Sequence, residues 1–219
     1  MIDFIQIGAN LGNNPYDIIW TLSREKKWSG LLVEPLPTVF EKLKENYSDV
    51  ENLFFEQVAI TSYNGFTPLY YSPEFVNEGQ QASVLPSMSL QNSDSRSHDG
   101  RRVAPVPLNS AIMYVRCYKL ESLVDAYEMT GKEFELLQID AEGLDGAIIQ
   151  CTDFNLARPK YIRYESCHLE HLSAVHDYLS PNDAVLQYLA QFGYKEIPDM
   201  YAHLFPQEGA IDTMVMRCE

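Results

Sequence analysis

Short apolar runs alternate with amphipathic stretches along the N-terminal third of the chain. Residues 2–7 form an apolar run that ends at Gly8, which is typical of a buried strand. Asn14 as N-cap and Pro15 in the first helical position predict a helix that continues to about Trp28. The pattern then predicts a strand at 31–33, a helix opened by 35–37 and a strand at 53–60.

The same alternation resumes after an interruption in the middle of the chain. Further strands are predicted at 66–71, 113–118, 134–139, 161–164, 194–197 and 213–216, and helices at 120–129, 144–151 and 182–192. The β-α-β-α-β order with short connections indicates a parallel sheet with right-handed crossovers. The last two strands can pair as an antiparallel hairpin. We therefore predict one α/β domain over residues 1–219.

Residues 73–111 differ in kind from the rest of the chain. They are rich in Ser, Asn, Gln, Pro and Gly and have no clear period. A long irregular stretch inside a compact domain is usually a functional lid or a disordered insertion, and both readings stay open here. The chain begins almost directly on its first strand, so cover for a site is expected from this insertion, from a second subunit of a homo-oligomer or from a partner protein.

Charge and cysteine content narrow the choice of partners and compartment. The formal charge at pH 7 is −15, from 16 basic and 31 acidic residues. Nucleic acids and anionic membranes bind positive patches, so neither is an expected partner. The four cysteines form no C-x-x-C pair, which favours reduced thiols. With no signal segment and no apolar stretch of bilayer-spanning length, we predict a cytoplasmic protein.

A glycine-containing turn follows the first strand and reads Gly8-Ala9-Asn10-Leu11-Gly12. Glycine allows a nucleotide-type ligand to approach the backbone, and Asn tolerates a left-handed conformation better than other non-glycine residues. The following helix N-terminus suits a carboxylate or a phosphate. The nicotinamide fingerprint G-x-G-x-x-G is absent, which disfavours a dehydrogenase.

Glu34 ends the second predicted strand, 22 residues beyond Gly12. An acidic side chain at that place can accept hydrogen bonds from both ribose hydroxyls of an adenosine ligand. A solvated glutamate at a strand end is the alternative. The glycine turn and Glu34 together favour an adenosine-containing ligand.

Two further segments bring polar side chains to strand ends. Asp140 and Glu142 follow the strand at 134–139, and His168 follows the strand at 161–164. Ligands bind at the carboxyl edge of open α/β sheets, so these side chains are candidates for catalysis. Asp140 could instead cap the next helix, and His168 could be a hydrogen-bonded structural histidine.

Taken together, these segments resemble the FkbM-type methyltransferases, a family of class I S-adenosylmethionine-dependent enzymes. The matching stretches are FIQIGANLG at 4–12, GLLVEPLP at 30–37 and LQIDAEG at 137–143, with 58–60, 120–123, 164–165 and 168–169 in the family's order. The resemblance implies a Rossmann-like, seven-stranded, mostly parallel sheet with helices on both faces. It also implies that S-adenosylmethionine lies over the first two strands.

The resemblance assigns roles to single positions. Gly8, Ala9, Asn10 and Gly12 would face the methionine part of the cofactor. Glu34, with Pro35 after it, would face the ribose, and Val58 with Ala59 would face the adenine, while Asp140 would lie beside the cofactor. Many family members have an acidic residue where this chain has Gln6, whose amide oxygen can bind the methionine amino group without a charge.

The expected activity is O-methylation of a small molecule, a sugar or a lipid-linked acceptor. Asp140, Glu142 or His168 would accept the proton of the acceptor. Asp140 and Glu142 could instead hold a divalent metal, but they do not complete an oxygen cage, so no metal is expected. The alternatives are an inactive methyltransferase-fold binding protein and an α/β enzyme with another adenosine-containing cofactor. The sequence does not identify the acceptor.

Overall fold

The computed structural model describes residues 2–13, 17–71, 111–141, 144–166, 181–204 and 212–218. The strands there are β1 (Phe4–Ile7), β2 (Gly30–Val33), β3 (Leu53–Glu56), β4 (Ala59–Ile60), β5 (Gly65–Tyr71), β6 (Ala111–Tyr118), β7 (Glu133–Ile139), β8 (Arg158–Glu165), β9 (Tyr194–Ile197) and β10 (Asp212–Arg217). The helices are α1 (Ile18–Glu25), α2 (Pro37–Asn46), α3 (Leu120–Ala126), α4 (Asp145–Gln150) and α5 (Pro181–Ala190), and Ala202–Leu204 forms a 3₁₀ turn.

Seven strands form the main sheet in the order β3-β2-β1-β7-β8-β10-β9. The five strands from β3 to β8 are parallel, and β10 is antiparallel to both β8 and β9. Ile7 at the end of β1 lies in register with Val33 and Ile139, so the carboxyl ends of β1, β2 and β7 form one edge. The seven-stranded, mostly parallel sheet and its C-terminal antiparallel hairpin are confirmed.

Helices pack on both faces of this sheet, as predicted. Ile5 and Ile7 of β1 belong to a buried cluster that includes residues of α3, α4 and α5. Phe4, which points to the opposite face, belongs to a cluster with residues of α1 and α2. This alternation follows the period of two in a strand and explains why both faces read as apolar. No helix in the described ranges is long and apolar enough to cross a membrane.

The predicted strand at 53–60 is two strands in two different sheets. β3 pairs with β2, whereas β4 pairs with β6 in a second sheet of order β4-β6-β5. Ala59 lies opposite Cys117, far along the chain. An apolar run indicates that a strand is buried, but it does not indicate which strand it pairs with. The pattern therefore could not predict that the chain changes sheet between Glu56 and Ala59.

The first helix begins later than predicted. Asp17, not Asn14, is its N-cap, because the Asp17 side chain accepts a hydrogen bond from the N–H of Ile19 at 2.8 Å. The helix ends at Glu25 rather than near Trp28, and Lys27 has a φ of 54°, which no helix can continue through. Asn14 and Pro15 lie outside the described residues.

Candidate functional site

A pocket of about 740 Å³, partly open to solvent, lies at the carboxyl edge of the main sheet. Its floor consists of the ends of β1, β2 and β7, and the second sheet and the beginnings of α2 and α4 form its walls. The lining residues are Ile7, Gly8, Asn10, Val33, Glu34, Pro35, Leu36, Val39, Val58, Ala59, Ile60, Leu69, Asp140, Ala141, Leu144 and Ile148. Ligands bind at this edge in open α/β sheets.

The glycine turn adopts the left-handed backbone that its sequence suggested. Gly8, Asn10 and Gly12 have φ values of 77°, 48° and 64°. A Cβ on Gly8 would lie 1.9 Å from the carbonyl oxygen of Asp140, and one on Gly12 would lie 2.3 Å from the ring of Tyr47. Gly8 therefore lets β1 and β7 end side by side at the pocket, while Gly12 lets the turn pack on α2.

Glu34 joins the glycine turn to the end of β2. Its side chain is buried, and its two carboxylate oxygens accept hydrogen bonds from the N–H of Asn10 at 3.0 Å and of Leu36 at 2.9 Å. Each oxygen keeps a second lone pair for a ligand hydroxyl. Burial raises the pKa of Glu34 to about 7, although the two N–H donors oppose that shift. The solvated alternative for this residue is therefore wrong.

The apolar end of the pocket combines predicted and unpredicted residues. Val58 and Ala59 line it, as the resemblance implied. Leu36, Val39 and Leu69 complete the wall and form a buried cluster with Val115 of β6. Leu69 belongs to β5, a strand that was predicted at 66–71 because a turn signal precedes it at 63–65. No local signal showed that this strand folds over the pocket.

Of the three predicted catalytic residues, the structure describes one. Asp140 is exposed and lines the pocket directly after β7, and its N–H donates to the carbonyl oxygen of Ile7 at 3.0 Å. Glu142 and His168 lie outside the described residues, so their grouping with Asp140 stays a prediction. The N-cap of α4 is Leu144, so the alternative role of Asp140 as a helix cap is wrong.

The sequence did not single out Asp145, which is fully buried at the beginning of α4. Its carboxylate oxygens accept hydrogen bonds from the N–H of Ala141 and of Glu165, each at 3.2 Å. Burial raises the pKa of Asp145 to about 7, and the negative charge of Glu165 adds to the shift. Asp145 thus fixes the loop after β7, which bears Asp140, against the end of β8. An acidic residue in a first helical turn was its only signal.

The remaining predicted cofactor residues lie beside the pocket rather than on its lining. Ala9 and Gly12 belong to the turn but are buried and do not line the pocket. Gln6 points to the α1 face of the sheet, where it is 4% exposed and its Nε2 donates to Asp17 Oδ2 at 2.9 Å. Seven of the ten predicted positions therefore line the pocket, namely Gly8, Asn10, Glu34, Pro35, Val58, Ala59 and Asp140.

A sheet in this order, with a pocket built from a glycine turn and a strand-end glutamate, is typical of Rossmann-like nucleotide-binding folds. The chain matches the model of the FkbM methyltransferase domain over residues 6–196 and belongs to that family. The predicted family and its cofactor, S-adenosylmethionine, are thereby confirmed. No curated protein sequence gives a significant match.

Several solved structures resemble the chain, among them three that contain S-adenosylmethionine or SAH. Fibrillarin from Aeropyrum pernix, with S-adenosyl-L-methionine, has a TM-score of 0.44 and 10% identity, with 98% of this chain and 65% of that chain covered. A mutant of MtNAS in complex with S-adenosylmethionine has a TM-score of 0.39 and 12% identity, and the match covers 100% of this chain and 55% of that chain. The plantazolicin methyltransferase BpumL in complex with SAH has a TM-score of 0.42 and 8% identity, and the match covers 99% of this chain and 76% of that chain. The chain spans less than two thirds of the first two proteins.

Proposed function

We propose that this protein binds S-adenosylmethionine in the pocket at the sheet edge and transfers its methyl group to an oxygen of a small-molecule acceptor. The observation that supports this most is the Glu34 carboxylate, buried at the pocket and held by the N–H groups of Asn10 and Leu36. Its free lone pairs match the two hydroxyl donors of a ribose.

The pocket walls suit the rest of an adenosine. Val58, Ala59 and Leu69 present apolar surface for a flat base. The glycine turn and Asp140 lie at the other end, above β1 and β7, where the methionine part would extend. The chemistry that S-adenosylmethionine supplies when bound is a methyl group on a positively charged sulfur.

We assign proton acceptance to Asp140, because it is the exposed carboxylate of the described pocket lining. The acceptor hydroxyl loses a proton as its oxygen takes the methyl group, and a carboxylate beside the pocket can receive that proton. Glu142 and His168 remain candidates for the same task. Asp140 also positions the acceptor, and such positioning accounts for much of the rate of a transfer between two bound molecules.

The net charge of the chain supports a small-molecule acceptor, and its free thiols support a cytoplasmic location. The net charge of −15 disfavours a phosphate backbone as substrate. Cys117, Cys151 and Cys218 are free thiols in the structure, as a reducing compartment allows. We include the whole chain in one methyltransferase domain.

The test compares ligands by thermal unfolding and calorimetry. S-adenosylhomocysteine should raise the unfolding free energy by about 2.7 kcal/mol at a hundredfold excess over its Kd, and NAD should not. With labelled S-adenosylmethionine and a small-molecule extract as acceptor, Asp140→Asn should lower methyl transfer by about a hundredfold while S-adenosylhomocysteine binding stays within about twofold. A folded protein that binds neither methionine-derived ligand would refute the proposal, and a fully active Asp140→Asn variant would refute the role of Asp140.

A further inference from the structure

The second sheet has an outer face that no described helix or strand covers. β5 and β6 are antiparallel, and Phe66 lies opposite Arg116 while Pro68 lies opposite Tyr114. Phe66, Ile112 and Tyr114 are 64%, 57% and 74% exposed, and Pro68 and Arg116 are exposed beside them. The alternate residues of the two strands form the inner face, which packs on α2 and contributes to the pocket wall.

Exposed apolar side chains are concentrated on this outer face. Among the described residues seven large hydrophobic side chains are exposed, and three of the seven are Phe66, Ile112 and Tyr114. At about 200 Å² for each whole side chain, their exposed fractions amount to about 400 Å². The largest apolar patch on a typical monomer covers about 300 to 600 Å² and often has a function. The size of this patch therefore indicates an interaction surface.

The composition of the two strands points in the same direction. Residues 65–71 and 111–118 contain no Asp or Glu, although 31 of the 219 residues of the chain are acidic. Arg116 is the only charged residue of the two strands, and its Nη1 donates to the hydroxyl of Tyr118 at 3.4 Å. Depletion of carboxylates together with aromatic residues and Arg is the compositional signal of the core of a protein–protein interface.

The charge of the chain indicates which partner suits this face. Two copies with a net charge of −15 repel each other, and the repulsion is smallest where neither copy presents a carboxylate. A single exposed guanidinium adds little affinity for an acidic partner, so apolar contact has to supply the binding energy. A second copy presents the same apolar face, and a two-fold interface requires such a self-complementary surface.

We infer that the outer face of β5 and β6 is the contact surface of a two-fold dimer of this chain. The pocket lies on the other side of these strands, so this inference does not depend on the proposed function. Standard interfaces bury about 800 Å² on each partner, and an apolar patch of about 400 Å² is in proportion as the core of such an interface. Tyr and Arg are also among the residue types that contribute most to binding.

The two copies would meet face to face rather than edge to edge. β5 is an edge strand in the described second sheet, and Pro68 lies in its middle. Proline has no N–H to donate to a further strand, so it disfavours extension of the sheet by a second copy. The side chains of the outer face therefore form the contact.

The test measures the mass of the protein in solution by sedimentation velocity. The natural chain should be a dimer at about 50 µM, since interfaces of this size have micromolar or lower Kd values. Tyr114→Glu places a carboxylate at a position that is 74% exposed, so the fold should tolerate it. Because both copies carry the substitution, the Kd for dimerisation should rise at least about thirtyfold.

A matched control adds the same charge elsewhere. Leu156 is 40% exposed and lies between α4 and β8, outside the second sheet. Leu156→Glu should therefore leave the dimer intact, and both variants are checked for native thermal unfolding. Higher salt should strengthen the association of the natural chain, because it screens the repulsion between two negative copies.

Each outcome decides for or against the dimer. A natural chain that stays monomeric would refute it and leave the face to a different protein. A dimer that Tyr114→Glu does not weaken would place the interface elsewhere, and a loss of association in both variants would show only a general effect of charge. Weaker association at higher salt would indicate an interface of ion pairs instead of this apolar face. Selective loss in Tyr114→Glu, with stronger association at higher salt, would support the inference.

Discussion

The carboxyl group of Glu34 lies in the protein interior with a pKa of about 7, and two backbone N–H groups donate to it. Near neutral pH it therefore changes charge within the range that cells use. Ribose hydroxyls donate most strongly to the ionised form. We therefore expect the protonation state of this buried side chain to affect the affinity of the pocket for an adenosine ligand.

The affinity for S-adenosylhomocysteine should rise with pH between about 6 and 8, as Glu34 ionises through its pKa of about 7. Glu34→Gln should abolish this dependence and weaken binding at pH 8 by about tenfold or more. Calorimetry across that pH range measures both effects. Glu56→Gln is the matched control, since Glu56 lies in register with Val33 on the next strand but does not line the pocket. An unchanged pH profile in Glu34→Gln would contradict the assignment.

The raised pKa of Asp145 leads to a prediction about the free energy of unfolding rather than about ligand binding. In the unfolded chain it ionises near 3.8, whereas in the folded protein its pKa is about 7. Between these values the folded state binds the additional proton, so the free energy of unfolding falls as pH rises. Relative to Asp145→Asn, the natural protein should lose about 2 to 3 kcal/mol between pH 5 and pH 8. Urea unfolding at several pH values measures this difference, and a constant gap between the two proteins would show that Asp145 does not titrate there.

At the scale of elements, the second sheet gives the pocket a wall that the main sheet lacks. β5 presents Leu69 inward, where it is 4% exposed and lines the pocket. Phe66, an odd number of residues away on the same strand, points outward and is 64% exposed. The strand therefore separates a pocket-facing side from a solvent-facing side.

Leu69→Ala should weaken S-adenosylhomocysteine binding about fivefold to thirtyfold, the equivalent of about 1 to 2 kcal/mol of lost apolar contact. Phe66→Ala, on the opposite face of the same strand, should leave the affinity unchanged. Calorimetry on both variants, with thermal unfolding as a check, tests whether β5 belongs to the site. Equal affinities in the two variants would contradict a contribution of Leu69 to ligand binding.

Individual elements differ in how far the sequence predicted them. The helix at α2 and the strand at β7 followed from strong periodicity and nearly matched the prediction. The beginning of α1 did not, because Asn14 and Asp17 are both good caps and Pro15 favoured the earlier one. Which cap is used depends on a tertiary contact, the hydrogen bond from Gln6 to Asp17, and no local pattern contains that contact.

At the scale of the molecule, the main sheet and the site edge could be predicted, because each motif follows a strand end and parallel strands align those ends. The wall from β5 and the buried tie through Asp145 could not. Both depend on residues that are distant in sequence. Leu69 of β5, in the second sheet, lines a pocket whose floor is the edge of the main sheet. Asp145 accepts hydrogen bonds from both Ala141 and Glu165, which belong to different loops and strands. Sequence motifs therefore predict which strand ends form the pocket, whereas the residues that complete its wall are determined by packing between distant elements.

The position of β10 between β8 and β9 has a consequence for how the chain is made. A ribosome releases residues 212–217 after the other strands that the structure describes, yet they occupy an interior place in the sheet. Until they emerge, the nascent protein has an unpaired edge on β8 and a strand β9 with no neighbour to join. Unpaired edges favour association with other chains. Insertion of β10 between β8 and β9 therefore has to follow the synthesis of both neighbours, and a chain truncated before residue 212 should be prone to aggregation.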